Sequence, residues 1–501
     1  MIANQLGFGI ILSYISIFLA NIVNFVLTPF IIRSLGQSQY GLYMLIGAFV
    51  GYIAILDFGL SNTTVRFVSK YHAVNDKRGE QNFLFLTSVI YLIISFAILL
   101  LGTLIYPSLD AIFRNSLTLE EIEIAKTMFV ILIISLSLTL PMNLFRGIIT
   151  AYERFIFLHS LNIVRILIRS ILLFLLLFWG YKAIAIVLLD AALNIVLMFV
   201  SAIYVFLKLH VKIKLYEFDK YLIKEIFLYT FPVFISVIVD QIYWKIGHLV
   251  LGVVADTNEV AVFSIGMTIG QYFITFATAI SGVFLPKITR MVTTEASDED
   301  LTDILVKTGR IQFLVLGLVL STFVLFGEKF ILLWVGPSYG VSWGIALIVM
   351  IPLSFVLTQT IGISILQAKN MHGFRSWMYL CIAIINILIS FFLSKIYGAV
   401  GAAIGTALSL IFGNIIIMNI YYHFKVRLNI PEFCRKLSSL LLSLICSVGI
   451  GSVLLLISSN SWLALIVQCS VYSIIYIFIM WFFGMNDYEK QLFLSVYNKI
   501  K

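Results

Sequence analysis

The sequence predicts an all-α membrane protein of about fourteen transmembrane helices. Three observations carry that expectation. Of the 501 residues, 61% are hydrophobic and only 11% charged, whereas a soluble domain carries roughly 25% charge. Apolar runs long enough to cross a bilayer recur along the whole chain, separated by short polar turns. Lysine and arginine gather in alternate turns rather than in all of them.

The runs lie near 8–32, 42–65, 83–106, 127–150, 161–180, 183–207, 226–254, 261–285, 310–336, 342–366, 378–397, 401–424, 437–457 and 462–483. Each reaches the roughly 20 residues that a hydrocarbon core requires. The pair 161–180 and 183–207 is divided only by Tyr181 and Lys182, a very short turn. Of the 33 lysines and arginines, 24 fall in the turns 66–82, 146–160, 208–225, 286–310, 367–377, 425–436 and the tail after 484. Six (Arg33, Arg114, Lys126, Lys182, Lys329, Lys395) fall on the other side, and three (Arg165, Arg169, Lys245) lie within spans. The positive-inside rule then places both termini in the cytoplasm. The first span lacks a preceding basic region and is followed by further spans, so it reads as an uncleaved segment.

The net charge of +9 does not point to nucleic acid, because the basic residues are spread over loops. Cys381, Cys434, Cys446 and Cys469 show no ligand-like or CxxC spacing and read as small packing residues, with no metal site expected. Asp298-Glu-Asp300 spells a DxD triplet, but it follows Ser297 at what reads as a helix start, where carboxylates suit the helix dipole. No loop exceeds about 25 residues, which leaves no room for a soluble catalytic domain. A membrane polymerase or ligase would need a long external loop. The chain therefore reads as a non-enzyme.

The segment from Phe30 through Arg33-Ser-Leu-Gly36 to Gly41-Leu-Tyr43 forms the elbow between the first two spans. Gly36 and Gly41 supply the conformational freedom for a sharp turn. Asp57 lies about 22 Å of helix past Leu42, well inside the second span. The second half of the chain echoes this segment: Gly41-Leu-Tyr43 aligns with Ala261-Val-Phe263, and Ser61 to Tyr71 with Ser281 to Met291. Gly180-Tyr-Lys-Ala-Ile-Ala185 likewise matches Gly398-Ala-Val-Gly-Ala-Ala403. Repeated halves are a common mark of transporters, whose site lies between them. Gly47-x3-Gly51 and Gly401-x3-Gly405 have the spacing of close helix packing.

The elbow 33–43, the Asp57-Phe-Gly-Leu60 stretch and the Tyr397-Gly-Ala-Val-Gly-Ala-Ala403 turn resemble the polysaccharide flippases of the Wzx type. These belong to the multidrug/oligosaccharidyl-lipid/polysaccharide exporter superfamily. The resemblance covers essentially the whole chain and implies two pseudo-symmetric six-helix lobes, here 1–207 and 226–424, joined by a cytoplasmic linker at 208–225. Residues 425–501 would add two further helices and a cytoplasmic tail. Drug exporters of the superfamily usually stop at twelve spans, so the extra pair implies a lipid-linked cargo.

A sugar headgroup crosses hydrocarbon only in a wet, polar groove, since each unpaired hydroxyl costs several kcal/mol there. Charged residues inside spans are the candidates to line it. Arg165 and Arg169 stand four residues apart on one helix face, and arginine's planar fork suits phosphate; snorkelling to the headgroups is their bland reading. Gln241, Lys245 and His248 share a face of the seventh span, with Asp240 beside it. Lys245 is a second station for an anionic headgroup or part of a structural ion pair. Asp240 takes a proton or sodium, or neutralises an arginine. Asp57 and Asp190 are candidates to pair with Arg165 or Arg169. Arg33, on the side poor in basic residues, joins Arg165, Arg169, Lys245 and Gln241 as a cavity candidate.

The resulting expectation is a flippase of the bacterial cytoplasmic membrane. It would carry undecaprenyl-diphosphate-linked oligosaccharides, such as O-antigen or capsule repeat units, by alternating access. No cofactor is expected beyond Na+ or H+ coupling. The expected partners are the lipid bilayer, the lipid-linked oligosaccharide and polysaccharide polymerase machinery, with no nucleic acid. The alternative is a cation-coupled multidrug or small-molecule antiporter of the same fold.

Overall fold

A computed structural model describes residues 2–294, 296–369, 371, 373–457 and 461–500. Within these, the side chains of residues 2–7, 10, 229, 231–233, 235, 236, 240, 276, 278–287, 289, 293, 367 and 495–500 lie outside the described set. The described residues form helices joined by turns and short extended segments, with no strand among them. In order the helices are α1 (Ile2–Leu35), α2 (Gln37–Ile53), α3 (Leu60–Ala73), α4 (Lys77–Ile105), α5 (Ser108–Phe113), α6 (Leu119–Thr139), α7 (Asn143–Ala151), α8 (Phe155–Phe178), α9 (Ala183–Ile203) and α10 (Lys220–Val254). There follow α11 (Thr257–Thr293), α12 (Asp298–Trp334), α13 (Val341–Thr358), α14 (Thr360–Ala368), α15 (Gly373–Ser409), α16 (Met418–Phe424), α17 (Ile430–Gly451), α18 (Trp462–Ile479) and α19 (Asp487–Ile500). Two compact units divide the chain, Met1–Ala261 and Val262–Lys501.

Among the described residues, twelve stretches are long and apolar enough to cross a membrane, against about fourteen expected from the sequence. One of them, Gly373–Phe424, covers two of the expected runs. It folds back on itself at Gly398, whose φ is +55°. A Cβ on Gly401 would lie 2.2 Å from the Leu393 carbonyl oxygen, and one on Gly405 2.2 Å from Ser390 Oγ. Those pairs run in opposite directions along the chain, so the two arms form a tight antiparallel hairpin. The expected run 261–285 falls in α11, where many side chains lie outside the described set, as do most of those in the Ser281–Met291 echo.

Polar residues close the helix starts by accepting backbone N–H groups that have no partner inside the helix. Asp76 accepts from Gly79 at 2.8 Å, and Asp219 from Tyr221 and Leu222 at 2.8 and 3.0 Å. Thr118 with Glu121, and Ser297 with Asp300, form reciprocal capping boxes. The Asp298-Glu-Asp300 triplet is thus the first turn of α12.

In the first unit, two spans are broken at points that meet through Asn143 and Asp57. The second changes direction between α2 and α3, where Phe58 and Gly59 both take the left-handed conformation. The fourth breaks at Leu140–Met142, a tight turn containing Pro141. The elbow differs from the sequence expectation in one respect. Gly36 has φ +79°, as a sharp turn requires, but Gly41 is helical and serves another end: a Cβ there would lie 1.8 Å from the carbonyl oxygen of Thr257. A Cβ on Gly47 would meet nothing within 4 Å, so the Gly47-x3-Gly51 spacing does not mark a close helix crossing.

In the second unit, α17 and α18 dock on α12. Tyr476 donates to the Leu314 carbonyl at 2.8 Å, and Tyr472 lies 3.4 Å from Ser447. The cysteines correct the packing expectation in part, since Cys381 and Cys446 are exposed; all four are free thiols.

Candidate functional site

The site grows from one face of α8. His159, Asn162, Arg165, Arg169 and Ser170 recur at helical spacing along an otherwise apolar helix. Neighbouring helices supply a partner to most of this row. Asn162 donates to Ser16 on α1 at 2.6 Å. Arg165 donates through Nη2 to Oδ1 of Asn194 on α9 at 2.6 Å. Arg169 grips Asp190 on α9 with two bonds, Nε to Oδ1 at 2.5 Å and Nη2 to Oδ2 at 2.9 Å.

These pairs define how the helices run. Going forward four residues on α8, from Arg165 to Arg169, goes back four on α9, from Asn194 to Asp190, so the two helices are antiparallel. Against α1 the register advances together: Gly9 abuts Phe155, Ser16 meets Asn162, and Phe30 stacks on Phe174 at 4.9 Å. Helices α1 and α8 are therefore parallel. The short Tyr181-Lys182 turn links two separate helices, as the sequence had suggested.

Three cavities of about 200, 470 and 360 Å³ share these residues. Asn162 lines all three. The 470 Å³ cavity runs between Asn24, Arg165, Arg169, Asp190 and Asn194. The other two meet at Asn143 and Arg146 of α7, and the 360 Å³ one extends to His159 and Ser61. Asn143 also donates to Asp57 at 3.4 Å, so the breaks of the second and fourth spans are pinned to each other beside the cavities.

The charge balance of this tract is cationic. Asp190 pairs with Arg169 and also lies within electrostatic reach of Arg165, but neither Arg146 nor Arg165 forms a salt bridge among the described residues. Arg146 is exposed and Arg165 half-buried. Between them stand three amides, Asn143, Asn162 and Asn194, each able to donate and accept. Such a lining offers charge-assisted hydrogen bonds to an anion and neutral ones to a polyol.

The structure thus brings together Arg165, Arg169 and Asp190, and links Asp57 to them through Asn143. It does not bring in the other candidates. Lys245 and Gln241 lie on α10, which packs along α2 and α3: Tyr52 donates to the Gln241 carbonyl at 3.2 Å, and Thr63 meets Thr230 at 2.9 Å. Lys245 is half-buried there, without an ion-pair partner among the described residues. Arg33 is exposed near the end of α1 and lines none of the three cavities. The side chain of Asp240 lies outside the described residues. Sequence reasoning missed Arg146, Asn143, Asn162 and Asn194. The available signal was the Asn162-x2-Arg165-x3-Arg169 spacing, which marks a polar stripe on an apolar helix.

Fold and site together define a multi-pass membrane protein with a cationic, amide-lined tract inside one helical unit. Over residues 6–292, more than half of the chain, the sequence matches the family described as polysaccharide biosynthesis protein. The chain belongs to that family. Among solved structures it is similar to the lipid II flippase MurJ in an inward closed conformation, with TM-score 0.73 and 18% identity, covering 94% of this chain and 98% of that one. It is also similar to a multidrug resistance MATE family transporter of the MOP superfamily, inward-facing, with TM-score 0.63 and 18% identity over 79% of this chain and 92% of that one. The outward-facing form of such a transporter gives TM-score 0.54 at 17% identity, over 81% and 92%. At these identities the likeness is one of fold. No curated protein sequence matches the chain.

Proposed function

We propose that the protein flips undecaprenyl-diphosphate-linked oligosaccharide repeat units across the bacterial cytoplasmic membrane by alternating access. The observation that carries this reading is the tract itself, in which Arg146 and Arg165 form no salt bridge among the described residues and stand with three asparagines. Guanidinium groups suit the diphosphate and amides suit sugar hydroxyls, while the polyprenyl tail stays in lipid. Membership of a polysaccharide biosynthesis family and a fold shared with a lipid II flippase support the same cargo class. The basic residues of alternate turns support cytoplasmic termini. Each negative charge moved outward gains about 2.3 kcal/mol per 100 mV of inside-negative potential, so the potential assists export of a diphosphate. Coupling to Na+ or H+ and handover to polymerase machinery are further parts of this reading.

A drug antiporter of the same fold is the rival, and a tract built on a lone acid and aromatic side chains would favour it. The arginines favour the anion. The deciding experiment reconstitutes the protein in liposomes and follows leaflet exposure of a fluorescent undecaprenyl-diphosphate oligosaccharide. Flipping by the wild type that Arg165→Ala abolishes supports the proposal. Failure to move glycolipid, with extrusion of a cationic dye on an ion gradient, replaces it with the antiporter.

A further inference from the structure

Arg169 is occupied. Its Nε and Nη2 donate to both oxygens of Asp190, at 2.5 and 2.9 Å. That two-pronged grip is the same one a guanidinium offers a phosphate. Both side chains remain 22% exposed and line the 470 Å³ cavity that also holds Arg165 and Asn194. Arg169 stands fourteen residues beyond the first residue of α8, about 21 Å along the axis at 1.5 Å per residue. Arg165 is one turn nearer the start of α8, and among the described residues its guanidinium donates to the amide oxygen of Asn194 alone. An anion moving inward along α8 therefore meets an open arginine first and a filled one second.

Carboxylate and phosphate compete for one fork. We propose that Asp190 is a resident competitor of the cargo's anion, holding Arg169 while the cavity is empty, yielding it to the diphosphate, and retaking it as the cargo leaves. A carrier needs a station tight enough to be entered and weak enough to be left, and a built-in rival anion provides the second property. This inference rests on the flippase reading and concerns Asp190 as a residue that sets affinity and release, not as a ligand of the cargo.

The test is the kinetics of full-length protein in proteoliposomes, with undecaprenyl-diphosphate oligosaccharide titrated as cargo. Asp190→Asn keeps the shape and removes the charge. It should lower KM by about tenfold and lower kcat by at least as much, because the cargo now binds tightly and leaves slowly. Asp190→Glu should restore both constants towards wild type. A purely structural clamp would instead lose kcat with KM unchanged or raised, and that result overturns the proposal. A second arm does not depend on the single variant. Arg169→Gln leaves Asp190 without its arginine, beside the neutral Tyr43 hydroxyl, so that its charge repels the diphosphate and KM should rise, and adding Asp190→Asn to it should bring KM back down. A double variant no better than Arg169→Gln also overturns the proposal. Wild type that moves no glycolipid at all removes the flippase reading and this inference with it. Wild-type flipping with no tightening in Asp190→Asn removes the inference alone.

Discussion

Arg310 and Glu489 form a buried ion pair between α12 and α19, with Nε–Oε1 at 2.5 Å and Nη2–Oε2 at 3.1 Å. Their side chains are 6% and 1% exposed. The guanidinium also donates to the carbonyls of Lys436 and Gly484 and to Ser439 Oγ, so one arginine ties α12, α17 and the start of the tail together. Breaking one member of such a pair costs about 3–5 kcal/mol, because the other is left charged in a dry site. Glu489→Ala should therefore lower the thermal unfolding midpoint in detergent markedly. Deleting the tail from 486 onward should do the same. An unchanged midpoint in both would show the pair to be dispensable.

Gly41 gives a sharper steric prediction. Its missing Cβ makes room for the backbone of Thr257, whose carbonyl oxygen would sit 1.8 Å away. The same corner is held by Glu121, which accepts from Ser38 at 2.5 Å and from Thr257 at 2.8 Å. Backbone cannot yield as a side-chain tip can, so Gly41→Ala should destabilise the protein by about 1–3 kcal/mol. Gly47→Ala, with open space around it, should be nearly silent and serves as the matched control in the same melts.

Much of the fold was legible in the sequence, and less of the site. Apolar runs report helices directly, because a bilayer demands about 20 apolar residues and tolerates few charges between them. What a linear reading does not contain is the facing of helices. Asp190 was one of two candidate partners for either arginine, and only the antiparallel return of α9 along α8 assigns it to Arg169. Lys245 and Gln241 looked equivalent to the arginines as polar residues in a span, but they stand on α10, which packs along α2 and α3. Arg146 was counted as an anchor of a cytoplasmic turn, since a basic residue near a span end ordinarily is one. The break at Leu140–Met142 begins a new helix just before it and sets Arg146 among the cavity-lining residues.

Tyr152, in the turn between α7 and α8, donates to Glu80 Oε1 at 2.7 Å. Burial, together with that carboxylate, pushes the phenol above its ordinary range. The folded state thus holds this proton more tightly than the unfolded state does. Its contribution is fully present below the unfolded value near pH 10 and is lost as pH rises through the folded one. Stability should therefore decline with pH above about 10. Tyr152→Phe should be less stable at pH 8 yet show a shallower decline between pH 9 and 11, read from melts across that range. Parallel declines in both proteins would assign the effect to other groups.

Arg146 is the residue on which cargo capture should depend most visibly. It is exposed, has no acidic partner among the described residues, and lines both cavities that meet at Asn143 and Asn162. Among the described residues its guanidinium forms no ion pair, so substitution should spare stability. A charge-assisted hydrogen bond to phosphate contributes about 1.5–3 kcal/mol, so Arg146→Ala should reduce kcat/KM for glycolipid flipping by roughly ten- to a hundredfold. Arg146→Lys should recover part of the loss, since it keeps the charge but not the fork. Arg33→Ala, which lines none of the three cavities, should change little. Equal losses at Arg33 and Arg146 would mean that the tract on α8 is not where the headgroup enters.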